Sequence, residues 1–235
     1  RPALNPPGQA RPDWQIIAGI ARRMGAPGWD YASPAEIMGE IAGVTPIYGG
    51  MAYDRLEDDG LQWPCPAREH PGTPILHTKT FSRGRGAFGP VHYQPSVEMP
   101  DDEYPLVLTT ERVLQHYHTG TMTRRVGGLD FLAPEERVEV HPDDAAELGI
   151  ANGDWVRVSS RRGSVTARAW VVERTRRGLV FMTFHFAEAL SNVLTISAID
   201  PVAKIPEFKV CAVKVERVAD EDVPALADAD VALVE

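Results

Sequence analysis

The pattern of hydrophobic and polar residues changes near position 105 and divides the chain into two parts. Beyond that point, short runs such as Trp155-Val156-Arg157-Val158 alternate apolar with polar residues. A period of two is typical of strands that bury one face. Six short strands joined by tight turns indicate a closed barrel. The pattern predicts strands at 105–109, 137–141, 154–160, 164–172, 179–184 and 209–217.

Turn and helix signals lie between these strands. Arg161-Arg162-Gly163-Ser164 separates two apolar runs and predicts a hairpin turn. Residues 142–148 predict a short helix, since Pro142 suits the first helical position and Gly149 suits the end.

Two helices are predicted before the barrel. Residues 12–24 place their apolar side chains along a single stripe. Ser33-Pro34-Ala35-Glu36 is a capping box that predicts a second helix ending near Gly43. Two short helices bury too little surface to form a core, so we expect them to pack on a neighbouring domain.

Residues 44–104 are rich in proline and glycine, and 75–78 is their only candidate strand. An irregular stretch of this length is unusual inside an independent domain. We therefore assign residues 1–104 to the tail of a preceding domain and a long connection. Residues 105–218 are assigned to the barrel and 219–235 to an acidic C-terminal tail.

Composition narrows the class of protein. The chain is 43% hydrophobic and 24% charged, and it has no apolar run long enough to span a membrane. A net charge of −9 argues against binding to nucleic acid or to an anionic membrane surface. We expect a cytoplasmic protein. Cys65 and Cys211 form no C-x-x-C motif, so they are predicted to be buried structural thiols.

Residues 108–125, which follow the first predicted strand, carry most of the candidate chemistry. They read L-T-T-E-R-V-L-Q-H-Y-H-T-G-T-M-T-R-R. Arginine offers a planar fork of donors that matches phosphate oxygens, and Gly120 lets the backbone approach a ligand closely. The composition favours a small anionic ligand, with a polar surface loop as the alternative. The pair His116 and His118 has no third ligand nearby, so a zinc site is not expected.

This stretch resembles the C-terminal domain of molybdopterin-guanine-dinucleotide oxidoreductases, and most of all the catalytic subunit of formate dehydrogenase. The resemblance extends over residues 11–218. It implies a mainly β fold with short helices, built on a six-stranded double-psi β-barrel. The other motifs that carry it are Y-G-G-M-A-Y-D-R-L (48–56), G-L-Q-W-P-C-P (60–66), V-H-P-D-D-A-A-E-L-G-I (140–150), R-R-G-x-V (161–165), S-N-x-L-T (191–195) and P-E-F-K-V-C-A-V (206–213).

The resemblance implies that the parent protein oxidises formate to carbon dioxide and passes electrons to iron–sulfur clusters and an acceptor such as NAD. Its cofactor would be the bis-molybdopterin guanine dinucleotide (bis-MGD) with molybdenum or tungsten. Its partners would be the rest of the catalytic subunit and electron-transfer subunits. The cysteine or selenocysteine metal ligand, the catalytic histidine and arginine, and the cluster cysteines would lie upstream. No catalytic residue or metal ligand is therefore assigned here, and the chain alone is expected to be inactive.

Two alternatives remain at this stage. The barrel motifs are similar in nitrate reductases and other members of the superfamily, because the cofactor is common to all of them. A stand-alone double-psi barrel that binds a partner without catalysis is the second alternative.

The resemblance also implies a set of cofactor-binding residues. Thr110 and Arg112 would lie near the phosphates or ribose, and the amide of Asn192 would match the pterin edge. Phe208 would pack on the ring system and Lys209 would reach its polar edge. The complete predicted set is Thr110, Glu111, Arg112, His116, His118, Thr119, Thr121, Met122, Phe184, His185, Asn192, Phe208 and Lys209.

Overall fold

A computed structural model describes residues 3–57 and 59–219 of the chain. These residues form two compact units that divide between Pro90 and Val91. The domain boundaries drawn from the sequence stay a prediction, and residues 220–235 of the predicted acidic tail lie outside the described part. Among the described residues, no helix combines the length and apolar character that a bilayer crossing requires.

The first unit contains the two predicted helices, α1 (Asp13–Arg23) and α2 (Pro34–Val44), and 3₁₀ turns at Pro46–Tyr48 and Tyr53–Arg55. Ser33 caps α2 by accepting a hydrogen bond from the Glu36 N–H at 3.3 Å. Only Ala18 of α1 is buried. Its apolar stripe is largely exposed, so docking on another domain stays a prediction.

The irregular segment after α2 is held by internal hydrogen bonds. Cys65 is a buried free thiol, and its backbone bonds to Ile47 and Gly50 at 2.8 Å each. The Arg55 guanidinium donates to the carbonyl of His70 at 2.8 Å. The candidate strand at 75–78 is wrong, because His77 has φ 56° and the segment turns there.

The second unit is a closed barrel with strand order β1-β5-β2-β4-β3-β6. β1 runs parallel to β5, β2 runs parallel to β4, and the other neighbours are antiparallel. All six predicted strands are confirmed, with ends shifted by a few residues. The strands are β1 (Leu106–Glu111), β2 (Arg137–Val140), β3 (Trp155–Ser159), β4 (Ser164–Val171), β5 (Leu179–Thr183) and β6 (Cys211–Arg217).

The ring has an internal two-fold pattern. Exchanging β1, β2 and β3 with β4, β5 and β6 leaves the order of neighbours unchanged, and each parallel pair maps onto the other parallel pair. The expected double-psi β-barrel is confirmed. The parallel pairs β1/β5 and β2/β4 cannot be joined by hairpins. The two longest connections in the barrel run from β1 to β2 and from β5 to β6.

The barrel interior is filled by branched apolar side chains such as Val138, Val156, Val180 and Val213, all with 0% exposure. Cys211 joins this core as a free thiol, as predicted. Burial raises the pKa of Cys211 to about 11, so it stays protonated at neutral pH.

Two helices complete the unit. α4 (Pro142–Leu148) confirms the predicted short helix, and Gly149 ends it with φ 67°. α3 (Gly127–Leu132) had no sequence signal, since its two leading glycines disfavour a helix. It follows the 3₁₀ turn Thr123–Arg125.

Candidate functional site

The polar motifs meet at one edge of the barrel. β1 and β5 are parallel and end side by side, with Glu111 paired to Thr183. Their following loops, 112–123 and 184–192, therefore leave the same edge. Residues 208 and 209 reach it too, because they precede β6, which runs antiparallel to β1. We call this edge the β1/β5 edge; it gathers all the segments that carry the predicted site residues.

Thr110 and Lys209 tie two of these segments together. The Thr110 side chain is 1% exposed and donates to the carbonyl of Phe208 at 2.7 Å. Lys209 Nζ donates to the carbonyl of Thr110 at 2.5 Å and pairs with Glu111 Oε1 at 2.6 Å. β1 thus runs two residues beyond the predicted end at 109, because these bonds and the β5 ladder accommodate its polar end.

His185 links the 184–192 loop to the 112–123 loop by hydrogen bonds. Its Nε2 accepts from the Val113 N–H at 3.1 Å, and its Nδ1 bonds to the carbonyl of His118. These partners fix the neutral tautomer with hydrogen on Nδ1. Burial lowers the pKa of His185, and the nearby His116 and Arg112 lower it further, so the ring is neutral at pH 7.

His116 is buried and holds the loop from inside. Its Nε2 lies 2.7 Å from the carbonyl of Ala133, and its Nδ1 lies 3.1 Å from the hydroxyl of Thr123. The Thr123 hydroxyl in addition lies 3.1 Å from the Tyr117 N–H, from which it accepts a hydrogen bond. Both ring nitrogens are therefore engaged within the chain.

Gly120 packs directly under this loop. Its φ is +72°, and a Cβ placed there would lie 2.7 Å from the carbonyl oxygen of His185 and 2.8 Å from Arg124 Cδ. The position thus requires glycine both for its backbone conformation and for space. The close approach at Gly120 is to the chain's own backbone at His185, and the predicted approach to a ligand stays a prediction.

Glu136 is a buried carboxyl that sequence reasoning missed. It accepts from the Thr183 N–H at 2.9 Å, from the Thr183 hydroxyl at 2.6 Å and from the Arg137 N–H at 3.1 Å. Burial raises its pKa to about 7, although the hydrogen bonds oppose the shift. It supports the end of β5, immediately before Phe184 and His185. Glu136 stands directly before the predicted strand at 137–141, and nothing in the neighbouring sequence indicates that its side chain is buried.

Asn192 lies in the 3₁₀ turn Ser191–Leu194, here called the Asn192 turn. Ser191 and Leu194 are buried at its two ends, and the Ser191 hydroxyl donates to the carbonyl of Thr183. Asn192 itself is exposed.

Several polar side chains of the β1/β5 edge are exposed and point to no internal partner. Within residues 3–57 and 59–219, no hydrogen bond or ion pair occupies the side chains of Arg112, Thr119, Thr121 and Asn192. The Arg112 guanidinium lies 5.6 Å from the centre of the half-buried Phe184 ring. His118, with φ 49°, and Met122, 63% exposed, lie on the same loop. A cation, two hydroxyls and an amide fit the oxygens and ring edges of a pterin dinucleotide.

Known proteins resemble this chain in sequence. Residues 106–212 match the family described as molydopterin dinucleotide binding domain. The α subunit of F420-dependent formate dehydrogenase from Methanocaldococcus jannaschii is 50% identical over 93% of this chain. The catalytic subunit of assimilatory nitrate reductase from Bacillus subtilis is 39% identical over 89% of it. The chain spans about one third of the length of these relatives.

Among solved structures, acetylene hydratase from Pelobacter acetylenicus has the same fold over 92% of this chain, with a TM-score of 0.64 and 16% identity. The alignment covers 34% of that protein. The family match covers residues 106–212, which hold β1 to β5 and the first two residues of β6. Residues 106–212 therefore match the molydopterin dinucleotide binding domain, and the chain as a whole is similar to about one third of a formate dehydrogenase α subunit.

Proposed function

We propose that the β1/β5 edge binds molybdopterin guanine dinucleotide and that the full-length protein is a formate dehydrogenase. The observation that carries the proposal is the set of exposed, unpartnered polar side chains gathered there from two loops. The 50% identity to the α subunit of a formate dehydrogenase supports the substrate.

The exposed residues would make the contacts to the cofactor. Arg112 would bind the phosphates, with its charge free of any carboxylate among the described residues. Thr119, Thr121 and the amide of Asn192 would bond the polar edges of the pterin. His118 and Met122 would lie against it, and Phe208 and Lys209 would close the other side.

The two buried histidines, His116 and His185, would support the cofactor site indirectly, by holding the backbone of a loop. The ring nitrogens of His116 and His185 are all engaged within the chain, so neither imidazole has a free donor. Their role would be to hold the 112–123 loop in its binding conformation. Thr110 would act similarly, because its hydroxyl is bonded to Phe208.

The remaining features of the enzyme concern the full-length protein. A bis-MGD centre with molybdenum or tungsten would supply the two-electron chemistry when bound. Iron–sulfur clusters, the metal ligand and the electron-transfer subunits would belong to parts outside this chain. The M. jannaschii relative is F420-dependent by name, so F420 is the acceptor to test beside NAD. A cytoplasmic location stays a prediction.

The test uses the full-length protein purified without oxygen. Molybdenum, tungsten and pterin guanine dinucleotide are measured first, and formate-dependent reduction of F420, NAD and a viologen dye follows. We expect two dinucleotides per metal and formate oxidation. Oxidation of reduced viologen by nitrate, with no activity on formate, would assign the protein to the nitrate reductases instead.

The site itself is tested by Arg112→Ala in the same protein. We expect at least a tenfold faster loss of the dinucleotide, in keeping with a charged hydrogen bond worth about 1.5–3 kcal/mol. Arg176→Ala is the matched control, because Arg176 is an exposed arginine of the same unit without an ion pair in the described chain. Equal retention by both variants would exclude Arg112 from the site.

A further inference from the structure

The hairpin turn between β3 and β4, residues 160–163, contacts the Asn192 turn directly. The Arg162 guanidinium donates to the carbonyl of Leu194 from Nε at 3.0 Å and from Nη2 at 2.9 Å. Leu194 closes the Asn192 turn and is fully buried. A charged side chain on the hairpin therefore holds the end of the turn that presents Asn192.

Glu98 orients this arginine. Its two carboxylate oxygens accept from Arg162 Nη1 at 3.0 Å and Nη2 at 2.7 Å, and it also accepts from the Ala212 N–H at 3.2 Å. The Glu98 side chain is only 12% exposed. Burial opposes its ionisation, but the hydrogen bonds from Arg162, Arg161 and Ala212 outweigh burial and lower the pKa of Glu98. The pair is therefore charged and bidentate, which restricts the guanidinium more than a single bond would.

A second contact acts on the same turn through packing. A Cβ on Gly163 would lie 2.6 Å from Val193 Cγ1, so a side chain at position 163 would force Val193 to shift. The φ of Gly163 lies outside the left-handed region, so glycine is favoured here by the space it leaves for Val193 and not by backbone conformation. Val193 is the residue next to Asn192.

The Asn192 turn is therefore fixed from two directions. On one side, the Ser191 hydroxyl bonds to the end of β5. On the other side, the hairpin supplies the Arg162 bonds and the Gly163 packing. The amide of Asn192 has no partner in the described chain, so these backbone anchors set its position.

We propose that Arg162 and Gly163 are positioning residues that place the Asn192 amide for the pterin, with Glu98 orienting Arg162. This inference rests on the proposed cofactor role of Asn192. It gives the R-R-G motif a function at the site without any contact between the arginine and the cofactor.

The first experiment is a double-mutant cycle in the full-length holoenzyme, with the rate of dinucleotide loss as the readout. We expect Asn192→Ala to accelerate the loss about tenfold and Arg162→Ala severalfold. The double variant should lose the dinucleotide no faster than Asn192→Ala alone, because Arg162 acts through Asn192. Arg161→Ala is the matched control, since Arg161 also binds Glu98 but makes no bond to Leu194; its change should stay within twofold.

The second experiment tests position separately from stability. Gly163→Ala should displace Val193 and accelerate dinucleotide loss severalfold. Adding Val193→Ala removes the clashing methyl group and should restore the wild-type rate. A general loss of stability at Gly163 would leave the rate unrestored.

The outcomes separate the two proposals. Effects of Arg162→Ala and Asn192→Ala that multiply in the double variant, or an unrestored Gly163→Ala, would overturn the positioning role while leaving the cofactor site in place. A full-length protein without pterin dinucleotide would overturn the proposed function, and the positioning role with it.

Discussion

Lys209 Nζ lies 2.6 Å from Glu111 Oε1, so an ion pair joins the end of β1 to the segment before β6. Both side chains are about half exposed, which limits the contribution of the pair to stability to roughly 0–1 kcal/mol. The pair matters for electrostatics. The Glu111 carboxylate lies beside the proposed phosphate site, and the charge of Lys209 neutralises it.

Replacing Glu111 with glutamine should therefore change binding more than stability. Glu111→Gln removes the negative charge and leaves the charge of Lys209 unpaired, so we expect a several-fold slower loss of the dinucleotide at low salt and a smaller effect at high salt. Glu216→Gln is the matched control, since Glu216 is similarly exposed and pairs with Lys214 at 3.1 Å. A salt-independent effect, or an equal one in the control, would exclude the electrostatic explanation.

The buried carboxyl of Glu136 should make stability depend on pH. Its pKa is raised from 4.5 to about 7, so the folded protein holds this proton more tightly than the unfolded chain does. Its stabilising contribution is complete below pH 4.5 and is lost as the pH rises through about 7. The loss has an upper bound of about 3 kcal/mol.

Glu136→Gln should remove that part of the pH dependence. The measurement is the free energy of unfolding by denaturant at pH 5 and at pH 8, taken as the difference between variant and wild type. Glu135→Gln, at the neighbouring carboxyl whose side chain is 40% exposed, is the control. Parallel stability profiles for wild type and Glu136→Gln would contradict the raised pKa.

His185→Phe should release the 112–118 loop. The substitution keeps a buried ring but leaves the Val113 N–H and the His118 carbonyl without partners, at a cost of about 1–3 kcal/mol for each group. We expect faster hydrogen exchange at the Val113 amide, together with faster loss of the dinucleotide. His92→Phe, at an exposed position of the same unit, should leave both unchanged.

Gly120→Ala should be more destabilising than Gly149→Ala. The two glycines have similar φ values, +72° and +67°, but only Gly120 has backbone within contact distance of an added Cβ. Gly149→Ala should thus show the conformational cost alone, about 1 kcal/mol, whereas Gly120→Ala adds the clash with His185. Thermal unfolding of both variants decides the point, and equal shifts would mean that the loop absorbs the methyl group.

The local structure of the barrel was predictable from its alternating residues, and the arrangement of its strands was not. Val156 and Val158 show which face of β3 is buried, but nothing in their spacing shows that β3 lies between β4 and β6. That order depends on contacts between residues far apart in sequence. The double-psi β-barrel was expected only from the resemblance to a known family.

The residues of the candidate site were predictable from the sequence. Which of them are buried and bonded within the chain, and which are exposed, was not. His116 and His118 look equivalent in the sequence, yet one ring is buried and bonded at both nitrogens while the other is exposed. Thr110 and Thr119 differ in the same way. Glu98 and Glu136 went unnoticed, because a buried carboxylate is recognised by its distant partners and not by its neighbours in the chain.

Because of its two-fold pattern, the barrel has two open ends, or mouths, with equivalent strand arrangements. The side chains at the two mouths differ. At the mouth opposite the β1/β5 edge, β2 and β4 end side by side, and α4 follows β2 there while Arg174 bonds to Glu139. That mouth is closed by a helix and paired charges, whereas the other keeps unpaired donors. Substitutions of the exposed, unpaired side chains at the β1/β5 edge would therefore change contacts to a ligand without removing a hydrogen bond of the fold, whereas the buried His185 and Gly120 at the same edge also hold the loops in place.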